Sequence, residues 1–96
     1  MAHLPSVIAA KYARDYCIHL TFDDGVQADV DFQPWIQGEI FEPLKKKIFF
    51  KKFFLDGATV VWPNGADIAP ETLYEAALTV IQTNPNKIKT VPERRI

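Results

Sequence analysis

His19, Asp29, Asp31 and Cys17 are the residues of this chain whose types and spacing come nearest to a reactive constellation. They stand on two stretches that alternate with a period of two. Tyr16, Ile18, Leu20 and Phe22 fall on one face and Cys17, His19 and Thr21 on the other. After Asp23-Asp24-Gly25, the residues Val26, Ala28, Val30 and Phe32 alternate with Gln27, Asp29 and Asp31. A two-residue turn at Asp24-Gly25 would pair Leu20 with Asp29 and put a charge on the apolar face. A three-residue loop with left-handed Gly25 pairs Phe22 with Val26 and Leu20 with Ala28, and keeps both faces consistent. That register sets His19 opposite Asp29 and Cys17 opposite Asp31. A carboxylate facing an imidazole orients the ring, as a general base or metal ligand requires. The same pair is equally a cross-strand surface contact, worth about 0.2–1 kcal/mol. Residues two apart on a flat strand seldom converge on a closed tetrahedral zinc site. The surface-pair reading is preferred, with a small enzyme or metal site around His19 and Asp29 as an alternative. Cys17, facing a carboxylate that disfavours its thiolate, is not expected to be a nucleophile.

Two other groups carry candidate chemistry. Lys45, Lys46, Lys47, Lys51 and Lys52 are interleaved with Phe49, Phe50, Phe53 and Phe54 within ten residues. Lysine on phosphate and aromatic ring on base is how single-stranded nucleic acid is held. The competing reading, which we prefer, is a hydrophobic edge kept soluble by lysines, or a surface for protein contact. The acidic hairpin from Asp23 to Asp31 offers a patch of opposite sign. Asp23 and Asp24 lack the further oxygen ligands of a calcium loop, and turn chemistry accounts for them.

The second group is the run Trp62-Pro63-Asn64-Gly65-Ala66-Asp67, which leads to Pro70-Glu71-Thr72-Leu73-Tyr74. Two prolines fix φ, Asn64-Gly65 accepts left-handed backbone, and Asp67 is placed to bond nearby amides. Trp62, Asn64 and Asp67 either form a recognition surface at a rigid corner or serve as core, turn and amide acceptor. The expected binding set is therefore Trp62, Asn64, Asp67, Lys45, Lys46, Lys47, Lys51, Lys52, Phe50 and Phe54. No catalytic residue, metal ligand set or cofactor site is expected.

The elements that must position these residues follow from the same patterning. Val7 to Tyr12 reads as a strand turned back by Ala13-Arg14-Asp15, completing a three-stranded antiparallel meander. Gln33 to Lys47, broken by Pro34, Gly38 and Pro43, reads as loop with one short helical turn from Pro43. Phe49–Leu55 and Ala58–Trp62 flank Asp56-Gly57, a two-residue hairpin signal that sets Phe53 opposite Val60 and Lys51 opposite Trp62. From Pro70 to about Gln82, Leu73, Ala77, Val80 and Ile81, with Tyr74 and Leu78, make the apolar stripe of a helix, and Glu71 suits its positive end. Asn84-Pro85-Asn86 ends it. The expected fold is α+β, with about five antiparallel strands and one main C-terminal helix packed on the sheet. Because one helix covers one face only, exposed aromatics are expected between Phe41 and Phe54. Residues 1–83 are expected to form one domain, followed by a basic tail, 84–96, that is partly disordered.

Composition bounds the setting. Ninety-six residues, 48% hydrophobic and 24% charged, suit one modest core. A net charge of −1 gives no global attraction to nucleic acid or anionic membrane. One cysteine, no basic apolar leader and no membrane-length apolar run make the cytoplasm the expected location.

Three pieces in order carry a family resemblance: Phe22-Asp23-Asp24-Gly25 with Val30-Asp31; Phe41-Glu42-Pro43-Leu44 with Phe49; and Val61 through Asp67 with Leu73-Tyr74. Together they resemble DUF2442, a family of small bacterial proteins of unknown function, over about residues 7–77. The resemblance implies an α+β domain, often encoded beside another small protein in a toxin–antitoxin-like arrangement. Some relatives carry a following helix-turn-helix domain, for which this chain has no room, so direct DNA reading is not expected. The reading that results is a non-catalytic interaction module binding a protein partner or a second copy of itself. The alternative is a nucleic-acid-binding module using residues 45–54; no membrane association is expected.

Overall fold

Alternation from Tyr16 to Phe32 builds the first sheet. The computed structural model describes residues 5–83, beginning with strands β1 (Val7–Arg14), β2 (Cys17–Phe22) and β3 (Gln27–Asp31). All are antiparallel in the order β1-β2-β3. Cys17 faces Asp31, His19 faces Asp29 and Leu20 faces Ala28, as the two-face argument requires. The loop closes with Phe22 N–H on the Val26 carbonyl at 2.8 Å and Gly25 at φ 93°. Ile18, Leu20, Phe22, Ala28 and Val30 are buried, while Cys17, His19, Thr21, Gln27 and Asp29 form the half-exposed outer face. β1 runs two residues further than expected, to Arg14 paired with Cys17, with irregularities after Val7 and Tyr12. The turn therefore falls at Asp15-Tyr16, with Asp15 at φ 44°, a left-handed value that aspartate tolerates.

The chain then folds across the apolar face through two 3-10 segments, Gln33–Trp35 and Glu39–Lys45, and a one-turn helix α1 (Lys47–Phe50). This corrects the expected strand beginning at Phe49. Phe49 and Phe50 would fall on opposite faces of a strand, whereas the helical turn and the bend after it let Phe49, Phe50 and Phe53 all pack inward. Lys51 N–H bonds the Lys47 carbonyl at 3.0 Å, and Lys52 N–H bonds that of Phe49 at 2.9 Å. The aromatics expected to be exposed turn inward instead. Phe50 is buried, Phe41, Phe49 and Phe53 are half-buried, and Phe54 alone of these is exposed, at 46%.

The second sheet is a hairpin of β4 (Phe54–Asp56) and β5 (Thr59–Val61). Its turn is Gly57-Ala58, one residue later than expected, because Asp56 pairs with Thr59. A turn at Asp56-Gly57 would need positive φ at both centres, whereas Gly57, at φ 66°, suits the first position of a type II′ turn. Trp62 to Ala69 leads into α2 (Pro70–Thr83), where Leu73 and Ala77 are buried and Tyr74, Leu78, Val80 and Ile81 are half-buried. Pro70 takes the first helical position, and Glu71 lies in the first turn. The Tyr74 hydroxyl bonds Asp24 and its ring stands edge-on to Phe22 at 5.1 Å, tying α2 to the first hairpin. Among the described residues the architecture is α+β with five strands. The expected tail, 84–96, lies outside the described residues.

The two sheets meet over an aromatic cluster. Phe50 contacts Tyr12, Tyr16, Phe32, Phe53 and Trp62 at centroid distances of 5.3–6.4 Å. Trp62 is fully buried and its Nε1–H donates to the Phe50 carbonyl at 2.7 Å. Replacing Trp62 with Phe removes that donor and leaves a void, so the loss of stability should reach about 2–4 kcal/mol. Urea unfolding checks it; a variant within 0.5 kcal/mol of wild type, on the scale of a surface change, would overturn this role for Trp62.

Candidate binding surface

The open face of the first sheet carries the titratable cluster. His19 Nδ1 lies 2.6 Å from Asp29 Oδ1, and its Nε2 lies 3.0 Å from Gln27 Oε1. Arg14 Nη1 donates to Asp29 Oδ2 at 3.0 Å. Burial pushes the Asp29 carboxyl up, but hydrogen bonds from His19 and Arg14 outweigh it and hold the group below the usual carboxylate range. Both imidazole nitrogens are engaged, so as placed the ring offers no free lone pair to a substrate proton or a metal. Cys17 is pushed up, first by burial and then by Asp31. Among the described residues no group of three or more histidine, cysteine or carboxylate side chains could hold a metal ion. The sequence pattern points to His19 and Asp29 but not to Arg14, which it places in a turn and the structure places at the end of β1 opposite Cys17. Gln27 could have been found, as the diagonal neighbour of His19 on the same face.

The Trp62–Asp67 turn is built chiefly from internal bonds. Gly65 N–H bonds the Trp62 carbonyl and Trp62 N–H bonds that of Ala66, both at 2.9 Å. Asn64 Oδ1 accepts from Ala66 N–H at 3.2 Å, and its Nδ2 donates across 2.8 Å to the Ile40 carbonyl in the 39–45 segment. Asn64 is thus a staple between two irregular segments, and burial leaves Trp62 no surface for a partner. Asp67 is exposed and bridges Val61 through the backbone. Among the described residues its carboxylate meets none of the helix-start amides it was expected to satisfy.

The lysine segment divides into engaged and free members. Lys45 pairs with Glu42 and Lys47 with Asp15, each at 3.2 Å. The hydrogen bond to Asp15 raises the Lys47 pKa. Lys47 also lies 5.7 Å from the Tyr16 ring centre, and Lys51 lies 4.8 Å from that of Tyr12. The Tyr16 hydroxyl reaches the Lys45 carbonyl and anchors the segment to the sheet. Lys46 and Lys52 have no partner among the described residues. An open depression at Lys46 is lined also by Gly38, Glu39, Glu42, Pro43 and Lys45. It lacks the apolar enclosure of a small-molecule site. The large exposed apolar side chains among the described residues are Ile8, Ile40, Ile48, Phe54 and Leu55. Of the expected binding set, Phe50 and Trp62 are core, Asn64 is a staple, and the five lysines, Phe54 and Asp67 are on the surface.

A family model, DUF2442, described as a protein of unknown function, matches residues 7–79. The chain belongs to this family. The match spans all three pieces discussed above, from the first hairpin to α2. Comparison with curated proteins finds no match, and comparison with solved structures finds none. For this DUF2442 chain the roles of residues therefore rest on geometry.

Two outcomes follow from that geometry. Because the folded-state pKa of Asp29 is depressed, its contribution is complete above the unfolded aspartate value of about 3.9. It fades as pH falls through the folded value. The stability gap between wild type and Asp29→Asn should accordingly be widest near pH 7 and close in acid, read by urea unfolding across pH 7 to 2. Asn64→Ala should lower stability by about 1–2 kcal/mol and loosen residues 39–45 more than β2. Amide hydrogen exchange checks it, and uniform loosening would contradict the staple role.

Proposed function

We propose that this DUF2442 chain is a non-catalytic interaction module of the cytoplasm, binding a protein partner in a regulatory pair of the toxin–antitoxin-like kind. The observation that carries this reading is the surface formed by residues 45–54. Its aromatic rings pack inward, and Ile48, Phe54 and two uncommitted lysines remain outward. Apolar groups within a charged rim are what a protein interface uses for affinity and steering. The nucleic-acid reading loses its stacking platform, since Phe50 is buried and Phe49 and Phe53 are half-buried. A catalytic reading has, among the described residues, one histidine–carboxylate pair, tied into a closed hydrogen-bond chain. No helix among the described residues is long and apolar enough to cross a membrane.

The test is purification of the tagged full chain from its native host, with and without nuclease, at moderate salt. A protein retained in stoichiometric amount after nuclease is the expected result. Nucleic acid whose removal releases everything else, or no retained protein at all, would overturn the reading.

A further inference from the structure

Residues 45–52 hold five lysines and no acidic side chain. Ile48 of α1 and Lys51 and Lys52 of the turn that follows are exposed, while Phe49, Phe50 and Phe53 are buried or half-buried. Ile48 is 76% exposed, the most exposed large apolar side chain among the described residues. A single exposed isoleucine needs no explanation on its own. What distinguishes this one is its rim. Carboxylates already seat on this surface at Lys45 and Lys47, each at 3.2 Å, while Lys46 and Lys52 on either side of Ile48 have none among the described residues.

We propose that Ile48 and its lysine rim are the docking point for an acidic protein segment that brings an apolar residue to cover the isoleucine. This rests on the partner-binding reading above and names the chemistry of the partner. A second copy meeting this patch on itself would set lysine against lysine, which opposes a symmetric contact through it. Nucleic acid would find Phe50 buried and Phe49 and Phe53 half-buried, leaving Phe54 as the one exposed ring of the segment rather than a row of stacking platforms. A bilayer would be offered one isoleucine on a one-turn helix, far short of the apolar face that interfacial helices bury. An acidic segment satisfies both unpaired lysines and removes the isoleucine from water.

The test places the photo-crosslinking residue p-benzoylphenylalanine at position 48 of the full chain in the native host. A parallel variant carries it at exposed Thr72 on α2. The expected result is one protein adduct from position 48 and none from Thr72, with aspartate and glutamate in excess over lysine and arginine in the crosslinked peptide. Adding Lys46→Glu and Lys52→Glu should lower its yield at least tenfold, with the melting curve unchanged. Absence of an adduct, an adduct to nucleic acid, lipid or a second copy, or equal yield from Thr72 would overturn the proposal. So would a crosslinked peptide without acidic excess, or a yield that survives the two charge reversals. Ile48→Asp separates the two levels of the argument. If a stoichiometric partner stays bound to that variant, the docking point is wrong and the partner-binding reading stands. If wild type retains no partner, both fail.

Discussion

The hydrogen bond from Trp62 Nε1 to the Phe50 carbonyl ties α1 to the end of the second hairpin at the centre of the aromatic cluster. A one-turn helix leaves its last carbonyls without intrahelical partners, and one buried in an aromatic cluster has no water to turn to. Indole is the fitting donor there, because the same side chain fills the core and carries one N–H at its rim. The arrangement is repeated along the irregular segment. The Ile40 carbonyl takes Asn64 Nδ2, and the Lys45 carbonyl takes the Tyr16 hydroxyl. Each short helix or turn between residues 39 and 50 is thus tied to the sheet, the hairpin or the turn after it by a side chain distant in sequence. Two of the three donors come from Trp62-Pro63-Asn64-Gly65, which gives that run a structural purpose in its own right.

This capping decides what the surface offers. With the Phe50 carbonyl fixed beneath Trp62, α1 and the turn after it are held with Phe49, Phe50 and Phe53 against the core and with Ile48, Lys51 and Lys52 outward. The lysines then find what counter-charges the fold provides, Asp15 from the first turn and Glu42 from the preceding 3-10 segment. Exposed pairs of this kind add little stability. Their consequence is for recognition, since they set which positive charges are already answered and which are not.

How much of this could be read from the sequence depends on the range of the interaction. The β2–β3 register was legible because a one-residue slip would have put Asp29 on the apolar face. α2 was legible from the spacing of Leu73 and Ala77 and from Pro70 at its start. The second hairpin was placed one residue early because Asp56-Gly57 looks like a turn centre, while only Gly57 takes positive φ. The strand expected from Phe49 fails because adjacent Phe49 and Phe50 both pack inward, which a strand cannot do and a helical turn can. The candidate site was less accessible. That Trp62 and Asn64 would reach Phe50 and Ile40 depends on contacts across 12 and 24 residues, which no local pattern encodes. The sequence placed five lysines beside aromatic rings, and only the fold separates the two groups onto opposite sides.

The two polar surfaces of the molecule differ in a way that bears on function. On the open sheet face, Gln27, His19, Asp29 and Arg14 form a chain in which each charged or polar group answers its neighbour. A partner approaching that face would have to displace bonds already made, and would gain only the difference. On the α1 face, Lys46 and Lys52 have no side-chain partner among the described residues, and Ile48 is already exposed. Binding there disrupts no internal hydrogen bond and removes apolar area from water, so the same number of contacts yields more free energy. The sequence reads His19 and Asp29 as a cross-strand surface pair, and the hydrogen bonds they make are already satisfied within that face. The lysine-flanked isoleucine is the surface with something left to gain.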